Sequence, residues 1–580
     1  MIGAVLLALL SEVPWLGGSV RTFLVLGAFG ALLFVLAGSR AFSEEDLPGA
    51  FLRGPNPFVL ALLAWCAGSA LFGAPYRGHA MADLLRVALC AGVYFAAALA
   101  LRSDELPVLV WAMLALGVVV CLVDFGRFGA GATAIHTVED ASIFGNHENQ
   151  GSLLLVLLPI ALALALHPGV GEKPRLTAQA IALILGAGLL LARTRSAWIG
   201  GGAAFLVVSV LFALAQGTAR GVTARARARS RLAFLFPLAL IVLGLGLLVV
   251  MGNIAPLLGQ RAVTFTRIRD DSSLADRLHR WRSAARMASE RPVVGWGLGM
   301  WPLLQGRWTH QGDDTQEVLR SGTGHQNLAH NYWVQWAAET GAVGLALHVG
   351  AAAAFVAFGL NALRSGAAAS PTRTALLIGC LASVVGACVD AVGSPAYNYA
   401  GVSTLWWLWM GTGVAAALRS SSVERALNAG RANALPPLTA RPAAWGAAAG
   451  VFATAVILGA GYQLRSGSGA GARGALTVTG QDIGPAPNGR GRQVLWSASF
   501  HNAAGRLRPT SPGTIWSVRG MAAGDRDGVI RLFRADEPDR SGWRGVVPQS
   551  TTSRPATAIA TYWDEYGRRY TNSAQQPADN

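Results

Sequence analysis

The sequence is poor in charged residues and in cysteine, and both shortages exclude classes of protein. Only 13% of its 580 residues are charged, roughly half the share found in soluble globular domains. The five cysteines fall in apolar stretches, which indicates small packing side chains and not a disulfide framework or a metal site. CxxC, HExxH and P-loop patterns are also missing. The sequence therefore disfavours zinc enzymes and energy-coupling ATPases, and it predicts no cofactor. The cysteines are Cys66, Cys90, Cys121, Cys380 and Cys388.

Apolar residues, in contrast, form 53% of the chain and give it a mean hydropathy of +0.42. A helix needs about 20 apolar residues to cross a bilayer, and the sequence contains about twelve such runs. We therefore predict an all-α polytopic membrane protein. Residues 1–15 are apolar but short, and they form either a thirteenth span or an interfacial helix. The predicted spans are residues 22–38, 57–73, 81–101, 106–124, 151–167, 177–192, 196–215, 232–251, 333–360, 373–392, 400–418 and 444–462.

The distribution of positive charge predicts how these spans are oriented. The net charge is +16 at pH 7, but the arginines are spread through loops beside the spans. This pattern indicates membrane topology and anionic lipid as the partner, and not nucleic acid. The arginine-rich loop between residues 215 and 232 is assigned to the cytoplasm, because short basic loops stay inside. Counting from there, a large loop at about residues 252–331 faces outward, and so does the chain after Arg465.

The C-terminal region differs in composition from the apolar bundle of residues 1–464. Residues 465–474 are rich in Gly and Ser and predict a flexible linker. From 475 to 571, short runs alternate apolar with polar residues between turn-forming residues. This alternation predicts a small β-rich domain on the outer side of the membrane. Residues 572–580 are polar and are predicted to be disordered.

Two arginine-bearing patterns fall on the predicted outer side. In LLLARTRSAWIGGG, Arg193 and Arg195 interrupt an apolar run; they either snorkel to headgroups from a tight turn or bind phosphate oxygens. In DSSLADRLHRWRSAARMASE, apolar residues recur at helical spacing around Arg277 and Arg280. This predicts an amphipathic helix that ends before Pro292, and that either lies on the membrane surface or supplies cations to a ligand. The following GWGLG is interpreted as a turn or close-packing element and not a dinucleotide loop.

Polar residues also gather where the large outer loop becomes a predicted span. Asn331, Gln335 and Glu339 are four residues apart, so they share one face of the predicted helix. We expect Gln335 and Glu339 to form an interhelical hydrogen-bond network inside the bundle. His330 differs, because it lies at the aqueous boundary, where an imidazole can accept a proton at neutral pH. An ionisable group at this depth is by default a functional hypothesis.

A fourth pattern, FGNHENQG, places His147 and Glu148 at the outer start of a span. Adjacent residues on a helix face different directions, so this pair is interpreted as capping and interface anchoring and not as a metal site.

Together these elements resemble the O-antigen ligase and polymerase superfamily of bacterial inner-membrane glycosyltransferases. FGNHENQG resembles its FGNPN element and TRSAWIG its SR-containing element. Residues 277–281 with RPVVGWGLG resemble its RxxxW and PxxGxG elements, and AHNYWVQWAAETGAVGL resembles its HNxxxxxxxExGxxG element. The resemblance covers about residues 20–418. It does not cover the predicted span 444–462 or the C-terminal region, and Leu328 stands where many members carry a second histidine.

The resemblance implies a GT-C-like bundle and a metal-independent, inverting glycosyltransferase. The donor would be a glycan on undecaprenyl pyrophosphate or a similar polyprenyl pyrophosphate. The acceptor would be a hydroxyl of lipid A-core, on the periplasmic face of the inner membrane, with the surrounding lipids as further partners. The large loop and the C-terminal domain would then be periplasmic.

The resemblance also implies roles for individual residues. His330 would be the general base on the acceptor hydroxyl. Arg195 and Arg277 would hold the pyrophosphate and neutralise the charge that grows on it as it leaves. Asn331 would orient the substrate or His330. The second choices for the pyrophosphate are Arg193 and Arg280.

Three alternatives stay open at this stage. A polymerase of the same superfamily would extend a lipid-linked chain, and a protein O-oligosaccharyltransferase would glycosylate a protein. The motifs do not separate these, because only the acceptor differs. A transporter or flippase would also have many spans, but the sequence does not show the paired, broken spans in two related halves that such proteins have.

Overall fold

A computed structural model describes residues 54–101, 105–129, 147–217, 272–308, 328–365 and 370–418, together with strands between residues 475 and 575. The chain divides into two compact units. Unit 1 consists of the described residues within Met1–Trp65, Leu85–Arg267 and Ala346–Val456. Unit 2 consists of those within Cys66–Leu84, Ile268–Leu345 and Ile457–Asn580.

Helices make up most of the described chain. Two π-helical turns, Ser69–Gly73 and Ala96–Ala100, prolong α1 and α2, and two 3-10 turns are Gln305–Trp308 and Ala396–Asn398. The helices are α1 (Asn56–Gly68), α2 (Arg77–Phe95), α3 (Glu105–Gly129), α4 (His147–Leu166), α5 (Glu172–Leu191), α6 (Arg195–Gly217), α7 (Ser272–Glu290), α8 (Trp301–Leu304), α9 (Tyr332–Ser365), α10 (Pro371–Asp390) and α11 (Ala400–Leu418).

Within the described residues, seven helices are long and apolar enough to cross a membrane. These are α1 with its π-helical turn, α3, α4, α5, α6, α9 and α10. The prediction of a multi-pass helical membrane protein is thereby confirmed. The predicted spans 81–101 and 400–418 are helical but are not among the seven. The predicted spans 22–38, 232–251 and 444–462, like residues 1–15, lie outside the described residues.

Helix α4 is the centre of unit 1, because its residues are buried along almost its whole length. A helix that is apolar on all sides requires such a position. Helix α10 contacts it closely: the hydroxyl of Ser383 donates to the carbonyl oxygen of Val156 at 2.8 Å. Helix α6 crosses α10 at a pair of glycines, where a Cβ on Gly200 would lie 2.6 Å from the carbonyl oxygen of Gly386. Small residues at such a crossing let two backbones approach each other.

Helix α9 is not the single uninterrupted span that the sequence predicts for residues 333–360. It breaks at Gly341, whose φ is +71°. The segment that includes GWGLG lies against the break in unit 2. The amide of Ala342 donates to the carbonyl oxygen of Pro292 at 2.7 Å, and the amide of Gly297 donates to that of Glu339 at 2.8 Å. Backbone groups freed in a broken membrane helix need such partners. A Cβ on Gly295, the first residue of GWGLG, would overlap the carbonyl oxygen of Glu339, so the interpretation of GWGLG as a close-packing element is correct.

The described strands all lie in the C-terminal region. β1 (Ala475–Pro485) pairs antiparallel with β2 (Arg492–His501), which also pairs with β3 (Leu507–Arg508) and β6 (Trp543–Pro548). A second antiparallel sheet has the order β5-β4-β7-β8. The β-rich domain itself, its boundaries at 475 and 571 and the disordered tail all stay predictions. The linker 465–474 lies outside the described residues. The strands of the second sheet are β4 (Ile515–Arg519), β5 (Val529–Phe533), β7 (Thr557–Trp563) and β8 (Arg569–Gln575).

Candidate functional site

The backbone of His330 is held in a conformation that L-residues avoid. Its φ is +51°, and among the described residues the only other non-glycine with positive φ is Arg193, at +53°. A left-handed backbone costs roughly 1 to 2 kcal/mol per residue, and such strain persists mainly where the surroundings enforce it, often at functional sites. The sequence motifs already indicate both residues as candidate site residues. Their strained backbones are a second, independent indication of a functional role.

Helix α7 supplies the contacts that hold the His330 segment. The indole Nε1 of Trp281 donates to the carbonyl oxygen of His330 at 3.4 Å, and Nη1 of Arg280 donates to that of Leu328 at 3.3 Å. Arg280 is almost fully buried, with 4% of its surface exposed. The contact at Leu328 uses the backbone, so the leucine side chain that departs from the family pattern does not affect it. The helix itself matches the prediction, since it ends at Glu290, before Pro292.

Arg277 lies one helical turn before Trp281 on α7 and is half-buried. Residues four apart on a helix share a face, so Arg277 and Trp281 are on the same side of α7. Since Trp281 contacts His330, this side is the one turned toward the His330 segment. Arg280 holds the backbone of Leu328, and Arg277, on the side of α7 turned toward His330, stays the first candidate for binding a substrate.

Asn331 is the N-cap of α9. Its side-chain oxygen accepts a hydrogen bond from the amide of Val334 at 3.1 Å, and its carbonyl oxygen accepts one from the amide of Gln335 at 3.1 Å. Asparagine is among the best N-cap residues because it satisfies an amide that the helix leaves without a partner. The cap fixes the start of α9 directly after His330. This placement favours its predicted part in orienting His330 over a contact with substrate.

Gln335 and Glu339 form the buried hydrogen-bond network that the sequence predicts, but with different partners. Gln335 accepts from the amide of Ala329 at 3.1 Å and donates to Glu339 at 3.1 Å. Glu339 also accepts from the amides of Gly299 and Trp301, each at 3.0 Å. The network thus joins α9 to two loop segments and not to another helix. Spacing along one helix cannot identify loop amides as partners, and only the glycines of GWGLG hint at so close an approach.

We expect replacement of Glu339 by alanine to destabilise the protein strongly. It would leave two buried amides without an acceptor, and each unsatisfied group costs about 1 to 3 kcal/mol. The midpoint of thermal unfolding in detergent should fall clearly for Glu339→Ala. The matched control is Glu172→Ala, because Glu172 is exposed in the first turn of α5. Equal midpoints for the two variants would contradict the network.

Unit 1 holds the other two predicted arginines. Arg193 follows the end of α5, and Arg195 is the first residue of α6. Between them, the hydroxyl of Thr194 donates to the carbonyl oxygen of His147 at 3.1 Å, and a Cβ on Gly151 would lie 3.1 Å from Thr194. The TRSAWIG element and residues 147–151 of the FGNHENQG element are therefore neighbours. Their contact agrees with the anchoring interpretation of FGNHENQG.

A comparison with known families covers most of the elements described above, although not FGNHENQG. Residues 180–349 match the family described as O-antigen ligase. The chain carries an O-antigen ligase domain. The matched residues include all six candidate site residues, which are Arg193, Arg195, Arg277, Arg280, His330 and Asn331. No curated protein matches the chain. The resemblance to the O-antigen ligase and polymerase superfamily inferred from the motifs is thus confirmed over residues 180–349, and this family suggests glycan transfer of that general kind.

The O-antigen ligase domain also contains an apolar groove in unit 2. The groove has a volume of about 440 Å³ and lies between α7 and α9. It is lined by small side chains such as Ala285, Ala288 and Ala337, with Trp333 at one side. Trp333 is the third residue after His330, so the groove begins close to the candidate base. A groove of this composition accepts an apolar chain and not a sugar.

Proposed function

We propose that the O-antigen ligase domain transfers a glycan from a polyprenyl pyrophosphate donor to a hydroxyl of lipid A-core, at the periplasmic face of the inner membrane. The observation that carries the proposal is the strained backbone of His330, which α7 holds through Trp281 and Arg280. Arg277 lies on the same side of α7 as Trp281. A base and a cation are the two groups that glycosyl transfer from a pyrophosphate requires.

In the proposed reaction, His330 removes the proton of the acceptor hydroxyl. The acceptor oxygen forms a bond to the anomeric carbon of the donor sugar from the face opposite the leaving group. The bond between that carbon and the phosphate oxygen breaks, and its electron pair goes to the pyrophosphate. The configuration at the anomeric carbon is inverted, and this scheme uses no metal.

Arg277 has the role of neutralising the charge that develops on the pyrophosphate. A guanidinium matches phosphate oxygens with two parallel hydrogen bonds. Preorganised cations of this kind contribute strongly to catalysis, because they stabilise charge where it develops in the transition state. Arg195 stays the second proposed contact, on the basis of the family pattern, with Arg193 as the alternative to it. Arg280 is assigned to holding the His330 segment, since it binds the carbonyl oxygen of Leu328.

The apolar groove between α7 and α9 is proposed to hold the polyprenyl chain. We expect Ala337→Phe to fill part of it and to raise the KM for a long-chain donor about 10-fold, with a smaller effect on a donor whose chain has two isoprene units. The reason is that burying each additional CH₂ contributes about 0.8 kcal/mol. The control is Ala346→Phe, because Ala346 is exposed on the same helix and is not among the residues that line the groove, so this change should leave the KM of both donors unchanged. Equal effects on long and short donors would contradict this use of the groove.

The function is tested by offering different acceptors to the purified protein. Liposomes contain the protein, a polyprenyl pyrophosphate glycan and one acceptor, which is lipid A-core, a second lipid-linked glycan or a protein. Transfer to lipid A-core supports the ligase. Transfer to a second lipid-linked glycan or to protein would instead indicate a polymerase or a protein O-oligosaccharyltransferase. Movement of the donor across the membrane without transfer would indicate a transporter.

A further inference from the structure

Asp390 is a fully buried carboxylate at the end of a candidate membrane span. It is the last residue of α10, and its exposed fraction is 0%. An acidic side chain in such a position is costly unless it is held by hydrogen bonds, and it is commonly functional. No sequence pattern points to Asp390, because a single acid at the end of an apolar run is no motif.

Two hydroxyl groups donate to the same oxygen of this carboxylate. The Oγ of Ser152, in α4, donates to Oδ2 of Asp390 at 2.5 Å, and the phenol of Tyr397 donates to it at 3.0 Å. Burial raises the pKa of Tyr397 well above its ordinary value, so the phenol keeps its proton and can donate. The hydroxyl of Ser394 lies 3.2 Å from that of Ser152. Asp390 therefore joins α10 to α4 and to the turn Ala396–Asn398.

The same carboxylate lies beside the first turn of α6. The buried hydroxyl of Ser196 lies near it, although not with the geometry of an ordinary hydrogen bond. Ser196 directly follows Arg195, the proposed pyrophosphate contact. Farther along α6, Gly200 lies so close to α10 that its Cβ would be 3.0 Å from the Cβ of Asp390. The contacts at Ser196 and Gly200 fix the start of α6 relative to Asp390.

We propose that Asp390 is a positioning residue for donor binding, which fixes the first turn of α6 and thereby the place of Arg195. It acts through α4, α6 and the turn Ala396–Asn398 and does not touch the substrate itself. This inference rests on the proposed function, in which Arg195 binds the donor pyrophosphate. It goes beyond that function by giving a role to a residue outside the four family motifs.

The test separates donor binding from acceptor binding. In reconstituted protein, Asp390→Asn should raise the KM for the donor about 10-fold, Asp390→Ala should raise it further, and the KM for the acceptor should not change. Asparagine keeps the shape and one acceptor oxygen of aspartate, so the donor KM should rise less in Asp390→Asn than in Asp390→Ala. Tyr397→Phe and Ser152→Ala each remove one donor to the carboxylate and should raise the donor KM by a smaller factor, about 3-fold. Inhibition by inorganic pyrophosphate should weaken in parallel.

A matched control lies on the same two helices. Ser383→Ala removes a buried hydroxyl of α10 that donates to α4, but Ser383 is about two turns from Asp390 and its hydrogen bond does not involve the start of α6. Its donor KM should equal that of the wild type. A donor KM that is unchanged in folded Asp390→Asn, or that rises equally in Ser383→Ala, would overturn the inference. If Asp390 variants do not fold, the donor KM of Tyr397→Phe and Ser152→Ala is measured instead, and unchanged values in both would overturn the inference. Absence of transfer by the wild type would instead reject the proposed function.

Discussion

Replacement of His330 by asparagine should reduce glycan transfer on the order of 100-fold or more, because it removes the general base, while the stability of the protein stays unchanged. Asparagine tolerates the left-handed backbone better than most residues, so the φ of +51° at this position does not penalise the substitution. Glycine adopts it without strain. His330→Gly is therefore expected to be as inactive as His330→Asn and equally stable. Initial rates of transfer and the midpoint of thermal unfolding measure the two effects separately.

Alanine is the informative contrast at the same position. It lacks the base too, but it retains a Cβ in a left-handed backbone and lacks the local hydrogen bonding of asparagine. His330→Ala should be inactive and about 1 kcal/mol less stable than His330→Gly. The control for histidine loss is His279→Asn on α7, a residue with no proposed role in the reaction, which should keep most of the activity. Transfer above a tenth of the wild-type rate in His330→Asn would remove His330 from the proposed mechanism.

The second large effect is expected for Arg277→Ala, which should reduce kcat/KM about 100-fold to 1,000-fold. This size is typical for the loss of one preorganised group that stabilises developing charge. Arg277→Lys keeps the charge but loses the planar fork, so its activity should lie between those of the wild type and the alanine variant. Arg195→Ala should have an effect of similar size. Both alanine variants should insert into the membrane normally.

A helix-matched control is available for Arg277. Arg282 is on the same helix α7 but is exposed, so Arg282→Ala removes an equal charge without removing a contact near His330. It should retain nearly normal kinetics, and inorganic pyrophosphate should inhibit it as it inhibits the wild type. Equal losses in Arg277→Ala and Arg282→Ala would show that overall positive charge matters and that no specific arginine binds the pyrophosphate.

Elements with a strong periodic pattern could be predicted from the sequence. The amphipathic spacing of α7 and the proline that follows it gave the end of the helix, and the spacing of Gln335 and Glu339 placed both on one face. These predictions succeeded because they depend on local geometry. The break of α9 at Gly341 was missed, since glycine is common in membrane spans and a break needs a partner from a distant segment, here residues 292–297.

The strain at His330 and the role of Asp390 also lay beyond the sequence. Histidine has no strong preference for a positive φ, so its backbone conformation depends on the contacts that Trp281 and Arg280 make with residues 328–330. Asp390 became a candidate only when Ser152 and Tyr397, more than 200 residues apart in the chain, were found on one of its oxygens. Contacts of this kind are set by tertiary packing and leave no local pattern.

The most direct test of the central claim follows donor and acceptor in one reaction. Wild-type protein and His330→Asn are reconstituted in liposomes with a polyprenyl pyrophosphate glycan, lipid A-core and a chelator of divalent metals. The wild type should release polyprenyl pyrophosphate in an amount equal to the glycan gained by lipid A-core, and His330→Asn should do neither at a comparable rate. No transfer by the wild type, under conditions in which a known ligase is active, or equal transfer by His330→Asn, would contradict the account.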